Sequence, residues 1–271
     1  FCFYDSIAYN PNLAKVTNDV YAITYTSASD DGYLSTINMS SNGTIVGDID
    51  HLEYDSSKGQ YSEITLVGDN VIAIVYEANN DDGNLSTINI SNEGTIVGIL
   101  DGFEFDKAGG ERPTMVLLND TYYAIFYEGA SNNASIATVN ISKNGTIGNS
   151  IIDLAGFQDA TSYSISAVHL NGTYYSVAFG DNEGDGQIST FNITDKGIIG
   201  NNGSGEKGSL DNLEFENYDL DQSHIIKIND NMYAVAYDMN AVNRNGTLMT
   251  FNISENGTIV NSTENRFGFL G

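Results

Sequence analysis

Hydrophobic and polar residues follow a pattern that returns about every 51 residues. Each copy contains four strand-like runs, which in the second copy span residues 62–67, 71–77, 85–91 and 95–105. The second run is apolar throughout (VIAIVY in this copy), which indicates a strand that is covered on both faces. The third run alternates between apolar and polar residues, which indicates a strand with one polar face. Helical periodicity is absent from the sequence, so the pattern predicts an all-β protein of repeated antiparallel units.

Five copies of one segment define the repeat, and residues 85–98 (LSTINISNEGTIVG) are typical of it. The central asparagines are spaced by 51, 51, 52 and 60 residues; they are Asn38, Asn89, Asn140, Asn192 and Asn252. A glycine follows each asparagine by five residues, which predicts a left-handed residue in the turn between the third and fourth strands. Additional residues at 201–208 account for the longest spacing and predict a surface loop.

Repeats of this length are typical of four-stranded blades. We therefore predict a five-bladed β-propeller of four-stranded antiparallel blades, formed by one domain over residues 1–271. The predicted blades span residues 6–55, 56–106, 107–158, 159–216 and 217–271, and residues 1–5 are candidates for closing the ring. A β-solenoid and a part of a larger propeller array are the alternatives. The solenoid is disfavoured because its coils are usually shorter and have no tight hairpin.

The composition excludes several classes of partner. Asp and Glu outnumber Lys and Arg by 36 to 10, which gives a formal net charge of −26. Nucleic acids and anionic membranes are therefore disfavoured partners, since both require cationic surfaces. No apolar run has the length of a membrane span. Cys2 is the single cysteine, so the chain forms no internal disulfide, and the start at Phe1 indicates a processed or excerpted chain.

Sequons for N-glycosylation are frequent, and several lie outside the repeated asparagine position. They begin at Asn38, Asn42, Asn84, Asn89, Asn119, Asn133, Asn140, Asn144, Asn171, Asn192, Asn202, Asn245, Asn252, Asn256 and Asn261. Each is a glycan acceptor if the chain is secreted. The number of sequons predicts an extracellular, cell-surface location.

The combination of NIS-x-x-G-T-I-V-G repeats with YAI-x-Y strands resembles the extracellular propellers of archaeal surface-layer and surface-antigen proteins, especially those of methanogens. The resemblance covers nearly the whole chain and rests on the style of the repeat. It implies secretion, N-glycosylation and assembly or adhesion in the cell envelope, with other copies, envelope proteins or glycans as partners. It implies no catalytic residues.

Acidic loops at one predicted end of the blades are candidates for binding calcium, which takes six to eight oxygen ligands. The candidate ligands are Asp30, Asp31, Asp55, Asp81, Asp82 and Asp106. The alternative is that these residues are ordinary turn formers. Because the sequence lacks a complete calcium-loop motif, we expect no required cofactor and retain calcium as the one candidate metal.

Catalytic side chains are scarce on the first strand of each repeat, which would face the centre of a propeller. Glu63 is the one clear acid there, and Glu111 lies just before the next such strand. His51, His169 and His224 occupy different repeat positions, and the repeats look too alike to mark an active site. We therefore predict a non-catalytic structural or adhesive module that is not an enzyme. A carbohydrate-binding, lectin-like propeller is the alternative, and a glycoside hydrolase is the third hypothesis.

Overall fold

The structure is a computed structural model that describes residues 7–130, 133–161, 163–201, 207–218, 220–239, 246–260 and 266–269. These residues form five antiparallel sheets in which consecutive strands are neighbours. The chain divides into two compact units. One contains Phe1–Met115 and Asn140–Ile151, and the other contains Val116–Val139 and Ile152–Gly271.

The first two sheets belong to the first unit. Sheet one contains β1 (Ala8–Lys15), β2 (Val20–Ser27), β3 (Gly32–Met39) and β4 (Ile45–Asp55). Sheet two contains β5 (Gln60–Gly68), β6 (Val71–Glu77), β7 (Gly83–Ile90) and β8 (Ile96–Asp106), with a 3-10 turn at Asn79–Asp81.

The remaining sheets follow the same order of strands. Sheet three contains β9 (Glu111–Asn119), β10 (Tyr122–Glu128), β11 (Asn133–Asn140) and β12 (Asp153–Thr161). Sheet four contains β13 (Tyr163–Asn171), β14 (Tyr174–Gly180), β15 (Gly186–Asn192) and β16 (Asp211–Glu216). Sheet five contains β17 (Leu220–Lys227), β18 (Met232–Met239), β19 (Gly246–Ile253), β20 (Ile259–Val260) and β21 (Arg266–Phe269).

The second strand of each sheet lies in the core, as the apolar pattern predicts. Every residue of β6 is buried. Its Ala73 is fully buried and its Tyr76 is 4% exposed, so a small and a large residue pack beside each other in the same strand. This arrangement lets neighbouring sheets interdigitate closely.

The third strand differs from its prediction, because both of its faces are buried. In β7, Thr87 is as inaccessible as Ile88. The Thr87 hydroxyl donates a hydrogen bond of 2.6 Å to the carbonyl of Gly145, in the turn of the next repeat. A polar face can be buried here because each hydroxyl has a backbone acceptor.

The same contact recurs within each unit and joins consecutive repeats. The threonine hydroxyls donate to the glycine carbonyls over 2.6–2.7 Å in the pairs Thr36–Gly94, Thr87–Gly145, Thr138–Gly197 and Thr190–Gly257. An aspartate of each fourth-strand region accepts a hydrogen bond of 2.8–2.9 Å from a backbone amide of the next repeat, in the pairs Asp50–Ile96, Asp101–Ile147, Asp153–Ile199 and Asp211–Ile259. The residues that recur in the sequence therefore form a joint, a set of hydrogen bonds between consecutive repeats.

The glycine of the turn after the third strand has a positive φ in all five repeats, which confirms the predicted left-handed position. The angles are between 81° and 94° at Gly43, Gly94, Gly145, Gly197 and Gly257. At Gly94 a β-carbon would also lie 2.4 Å from Cδ1 of Ile49. The backbone angle therefore favours glycine at this position in every repeat, and at Gly94 a larger residue would also displace the end of the Ile49 side chain.

A strand near the end of the chain joins the fifth sheet. Residues 1–5, which are candidates for closing the ring, lie outside the described residues. Near the other end, β21 pairs with β19, with Leu248 opposite Phe267. Among the described residues, no helix is long and apolar enough to cross a membrane.

Candidate functional site

One position on the first strand of every sheet carries a polar side chain, and it differs from repeat to repeat. Pairing with the second strand aligns Asn12, Glu63, Ser166 and His224, and Thr114 follows Glu63 by 51 residues. The expectation that the repeats are too alike to mark a site therefore fails at this position. Aligning the first strands on the buried Val16, Val67, Leu118 and Leu170, each four residues further on, would have revealed it.

Glu63 is the acid of this set, and it is half-buried on β5. Its Oε1 accepts a hydrogen bond of 3.3 Å from the backbone amide of Met115, and its side chain also bonds to that of Thr114 on β9. Burial raises the pKa of Glu63 to about 7, although the bonds from Thr114 and Met115 act to lower it. At neutral pH the carboxyl group is therefore present in both its acid and its base form.

Tyr61 and Arg112 lie two residues before Glu63 and Thr114 on the same two strands. The Arg112 guanidinium carbon is 5.0 Å from the centre of the Tyr61 ring, which is a cation–π contact. An Arg112 Nη1 also lies 3.6 Å from Oε2 of Glu111. Both residues have positive φ, 48° for Tyr61 and 47° for Arg112, a conformation that is unfavourable for large side chains. Asn10 and Ser164, at the equivalent positions of two other repeats, have φ of 48° and 57°, so this conformation belongs to a bulge that recurs in the first strand.

An ion-pair cluster around the buried Glu77 lies at the start of β5. Glu77 is 3% exposed and pairs with Gln60 across the sheet. Lys58 Nζ contacts Oε1 of Glu77 and lies 2.5 Å from Oδ1 of Asp81. Burial raises the pKa of Glu77, an effect that Lys58 opposes and that Glu111 and Asp81 reinforce. Oε2 of Glu77 makes no hydrogen bond within the described part of the chain. The Glu63 strand therefore starts beside a concentration of negative charge.

The equivalent position in the second unit has different chemistry. Ser166 Oγ accepts a hydrogen bond of 3.2 Å from the amide of Ile225 and lies 3.4 Å from Nδ1 of His224. The first strands of sheets four and five therefore bring together a hydroxyl and an imidazole, at the positions where the first strands of sheets two and three carry Glu63 and Thr114.

The predicted calcium ligands act mainly as acceptors within loops. Asp55 Oδ1 accepts hydrogen bonds from the amides of Ser57 and Lys58, and Asp106 Oδ1 accepts one from Ala108. The other contacts are those of Asp30 with Gln60, Asp31 with Ser27 and Asp81 with Lys58; Asp82 lines a cavity. Among the described residues, no group of three or more His, Cys, Asp or Glu side chains could hold a metal ion.

The predicted glycosylation sites fall into three sets. The exposed asparagines are Asn42, Asn119, Asn144, Asn171, Asn252 and Asn256. The half-buried asparagines are Asn38, Asn84, Asn89, Asn133, Asn140 and Asn192. Asn202, Asn245 and Asn261 lie outside the described residues. Glycosylation, the surface location and the archaeal resemblance stay predictions.

The sequence singles out Glu63 but not the charged residues on the neighbouring strands. Arg112 and Lys58 belong to a set of only 10 basic residues in the chain, so their presence on two neighbouring first-strand regions is a detectable signal. Glu77 directly follows the apolar run of its second strand, at a position where the first repeat has Thr26. The contacts of Lys58 with Glu77 and of Arg112 with Tyr61 depend on the packing of strands, which the sequence does not show.

Comparison with known proteins identifies the fold. The sequence matches no protein-family model and no curated protein. A protein from Bacteroides fragilis described as a candidate 6-phosphogluconolactonase is 13% identical, with a TM-score of 0.65 over 93% of this chain and 69% of that chain. A periplasmic gluconolactonase from Pseudomonas aeruginosa is 11% identical, with a TM-score of 0.51 over 92% of this chain and 83% of that one. An endo-1,4-beta-xylanase from Bacteroides thetaiotaomicron is 11% identical, with a TM-score of 0.51 over 93% and 94%.

Together with the five sheets, these similarities confirm the predicted all-β, five-bladed propeller. The prediction of a non-catalytic structural or adhesive module is contradicted, because the solved structures that share the fold are mostly named as enzymes. The expectation that the chain is not an enzyme conflicts with the same names. At 11–13% identity the likeness establishes the fold, and the activities are those proteins' own.

Proposed function

We propose that this chain hydrolyses cyclic sugar esters (lactones) and that Glu63 transfers the proton. The observation that carries the proposal is a half-buried carboxyl group with a pKa of about 7, on a strand that also carries Tyr61, the partner of Arg112 in a cation–π contact. A general base is most effective when its pKa lies near the working pH. The names of two similar structures, a candidate 6-phosphogluconolactonase and a gluconolactonase, support the substrate class.

The reaction needs one proton-transfer group and one group that stabilises negative charge. Ionised Glu63 removes a proton from water as the water oxygen attacks the ester carbonyl. The ring C–O bond then breaks, and protonated Glu63 returns the proton to the departing alkoxide. Lactone and water thus give one hydroxy acid, and Glu63 ends in its starting state. Arg112 is the cation assigned to the developing oxyanion, since a fixed positive charge there lowers the barrier.

The charge of the site favours a neutral substrate. Glu63, Glu77, Asp81 and Glu111 contribute carboxyl groups, and the two neighbouring cations, Lys58 and Arg112, both contact acids already. A phosphorylated lactone would bring further negative charge towards these carboxyl groups. We therefore expect an unphosphorylated sugar lactone to be the better substrate.

Glu63→Gln tests the proposal directly, because the amide keeps the size of the side chain but cannot accept the proton. Hydrolysis of glucono-δ-lactone is followed by acid release in a pH-stat between pH 5.5 and 7.5, with the spontaneous rate subtracted. We expect kcat to fall by about 100-fold or more. The activity of the unmodified protein should rise with pH through about 7, because the base form is the active one.

Glu93→Gln is the matched control, since Glu93 is an exposed glutamate in a turn of the same sheet. It should leave the rate unchanged. Wild-type hydrolysis no faster than the spontaneous reaction would refute lactonase activity. Cleavage of an aryl xyloside, with no effect on lactones, would move the assignment to glycosidic bonds.

A further inference from the structure

A concave site lies in the first unit, against strands β6, β7 and β8 of sheet two. It is an open cavity of about 430 Å³, which is within the range of small-molecule sites. Its wall includes Asp55, Asn80, Asp82, Asn84, Phe103 and Glu104. Glu63, Tyr61 and Arg112 are not among its lining residues.

The wall combines hydrogen-bond acceptors and donors with an apolar surface. The Asp82 carboxylate has no hydrogen bond or ion pair within the described residues and is half-exposed in the cavity. Ser86, Asn84 and Asp55 are the polar side chains next to the Tyr76 hydroxyl. Phe103 is half-buried and supplies apolar surface. Sugar rings need this combination, because each hydroxyl both donates and accepts while the ring C–H groups are apolar.

The loop that carries two of these groups is held in place before any ligand arrives. Asn80 and Asp81 both have left-handed φ, 62° and 64°, in the 3-10 turn Asn79–Asp81. Lys58 anchors the turn through Asp81, and the amide of Ala78 bonds to the carbonyl of Asp82 over 2.7 Å. A fixed loop reduces the entropy lost when a ligand binds.

We propose that this cavity binds one neutral monosaccharide unit. Asp55, Asp82 and Glu104 in its wall disfavour anionic sugars, and the adjacent amides match neutral hydroxyl groups. This assignment is independent of the lactonase proposal, because none of the residues assigned to catalysis lines the cavity.

Binding is tested with the whole chain made in a bacterial host that attaches no N-glycans, since Asn84 in the wall is also a sequon. Calorimetry and ligand-observed NMR are used with the methyl glycosides of glucose, galactose, mannose, fucose and xylose. We expect at least one glycoside to bind with a Kd of ~1 mM or tighter, as for a single small polar ligand. Asp82→Ala and Asn80→Gly should each weaken it by about 10-fold. Glycine tolerates the left-handed φ of Asn80, so the second variant removes the side chain without straining the turn.

Two controls separate this site from the rest of the chain. Asp69→Ala, at an exposed turn between β5 and β6, should leave binding unchanged. Glu63→Gln should also leave it unchanged, even where it abolishes hydrolysis. The proposal fails if no glycoside binds at ~10 mM, a concentration that would detect even weak sites. It also fails if binding survives both cavity variants, or if Ca²⁺ binds there instead and is lost in Asp82→Ala.

Discussion

The environment of Glu63 shows how neighbouring residues set the chemistry of one carboxyl group. Burial disfavours its ionised form, whereas the hydrogen bonds from Thr114 and Met115 favour that form. The pKa of about 7 is the balance of these opposing effects. Because the Met115 bond comes from the backbone, Thr114 is the partner that a substitution can remove.

Thr114→Val should move the pH dependence of hydrolysis towards higher pH. Thr114 is 6% exposed, and valine keeps its shape while losing the hydroxyl that stabilises ionised Glu63. The pKa of Glu63 should rise further, so the midpoint of the kcat/KM profile should shift upward by about half a unit to one unit. The maximal rate at high pH should change much less than in Glu63→Gln. An unchanged midpoint would show that Thr114 does not control the ionisation.

The third strand and its glycine turn form the element that the repeat preserves most closely. Its glycines differ in two features that can make glycine necessary, which are a positive φ and a close neighbouring side chain. Gly43 has a φ of 85° but open space around its α-carbon, whereas Gly94 combines a φ of 94° with the close approach of Ile49. Gly102 has neither a positive φ nor a close neighbour.

Alanine at these three glycines should therefore give graded losses of stability. We expect almost no loss at Gly102 and a loss of about 1 kcal/mol at Gly43, from the left-handed backbone alone. At Gly94 the loss should be slightly larger, about 1–2 kcal/mol, because the terminal methyl group of the half-buried Ile49 must also move aside. Urea unfolding of the three variants measures the series. Equal losses at Gly43 and Gly94 would show that packing against Ile49 is unimportant.

The elements were largely predictable from the sequence, whereas the site was only partly so. Strand type, the tight turns and the left-handed glycines are local features of the repeat, and β6 spans the same residues, 71–77, as its predicted run. The burial of Thr87 was not predictable from alternation, because its acceptor, Gly145, is 58 residues away. Glu63 was visible as a rare acid, but its partners Thr114 and Met115 belong to the next repeat. The sequence pattern does not contain such contacts.

At the scale of the molecule the dominant physical property is charge. A formal net charge of −26 on 271 residues produces repulsion throughout the folded chain. Several acids are paired or bonded to backbone amides, as Asp50 and Asp101 are, but the 10 basic residues cannot neutralise 36 acids. Unfolding lets the charges move apart, so repulsion favours the unfolded chain.

Salt should therefore stabilise the protein. Raising NaCl from about 0.01 M to about 1 M shortens the screening length from about 30 Å to about 3 Å, so most long-range repulsion is removed. We expect the melting temperature at pH 7 to rise by several degrees, as measured by circular dichroism. Sucrose at matched osmolality is the non-ionic control. A fall in melting temperature with NaCl would indicate that attractive ion pairs such as Lys58–Glu77 outweigh the repulsion.

The joint between repeats has a direction, and this has a consequence for how the chain can change in length. Each full repeat presents a hydroxyl and a carboxylate on one side and their backbone acceptor and donor on the other. A duplicated repeat would therefore find both sets of partners when inserted between two existing repeats. Gain or loss of one whole repeat of about 51 residues by recombination preserves these hydrogen bonds, whereas a break within a repeat removes one set. The recurring residues thus keep the repeats compatible with one another, so that the number of repeats can change more easily than the structure of a single repeat.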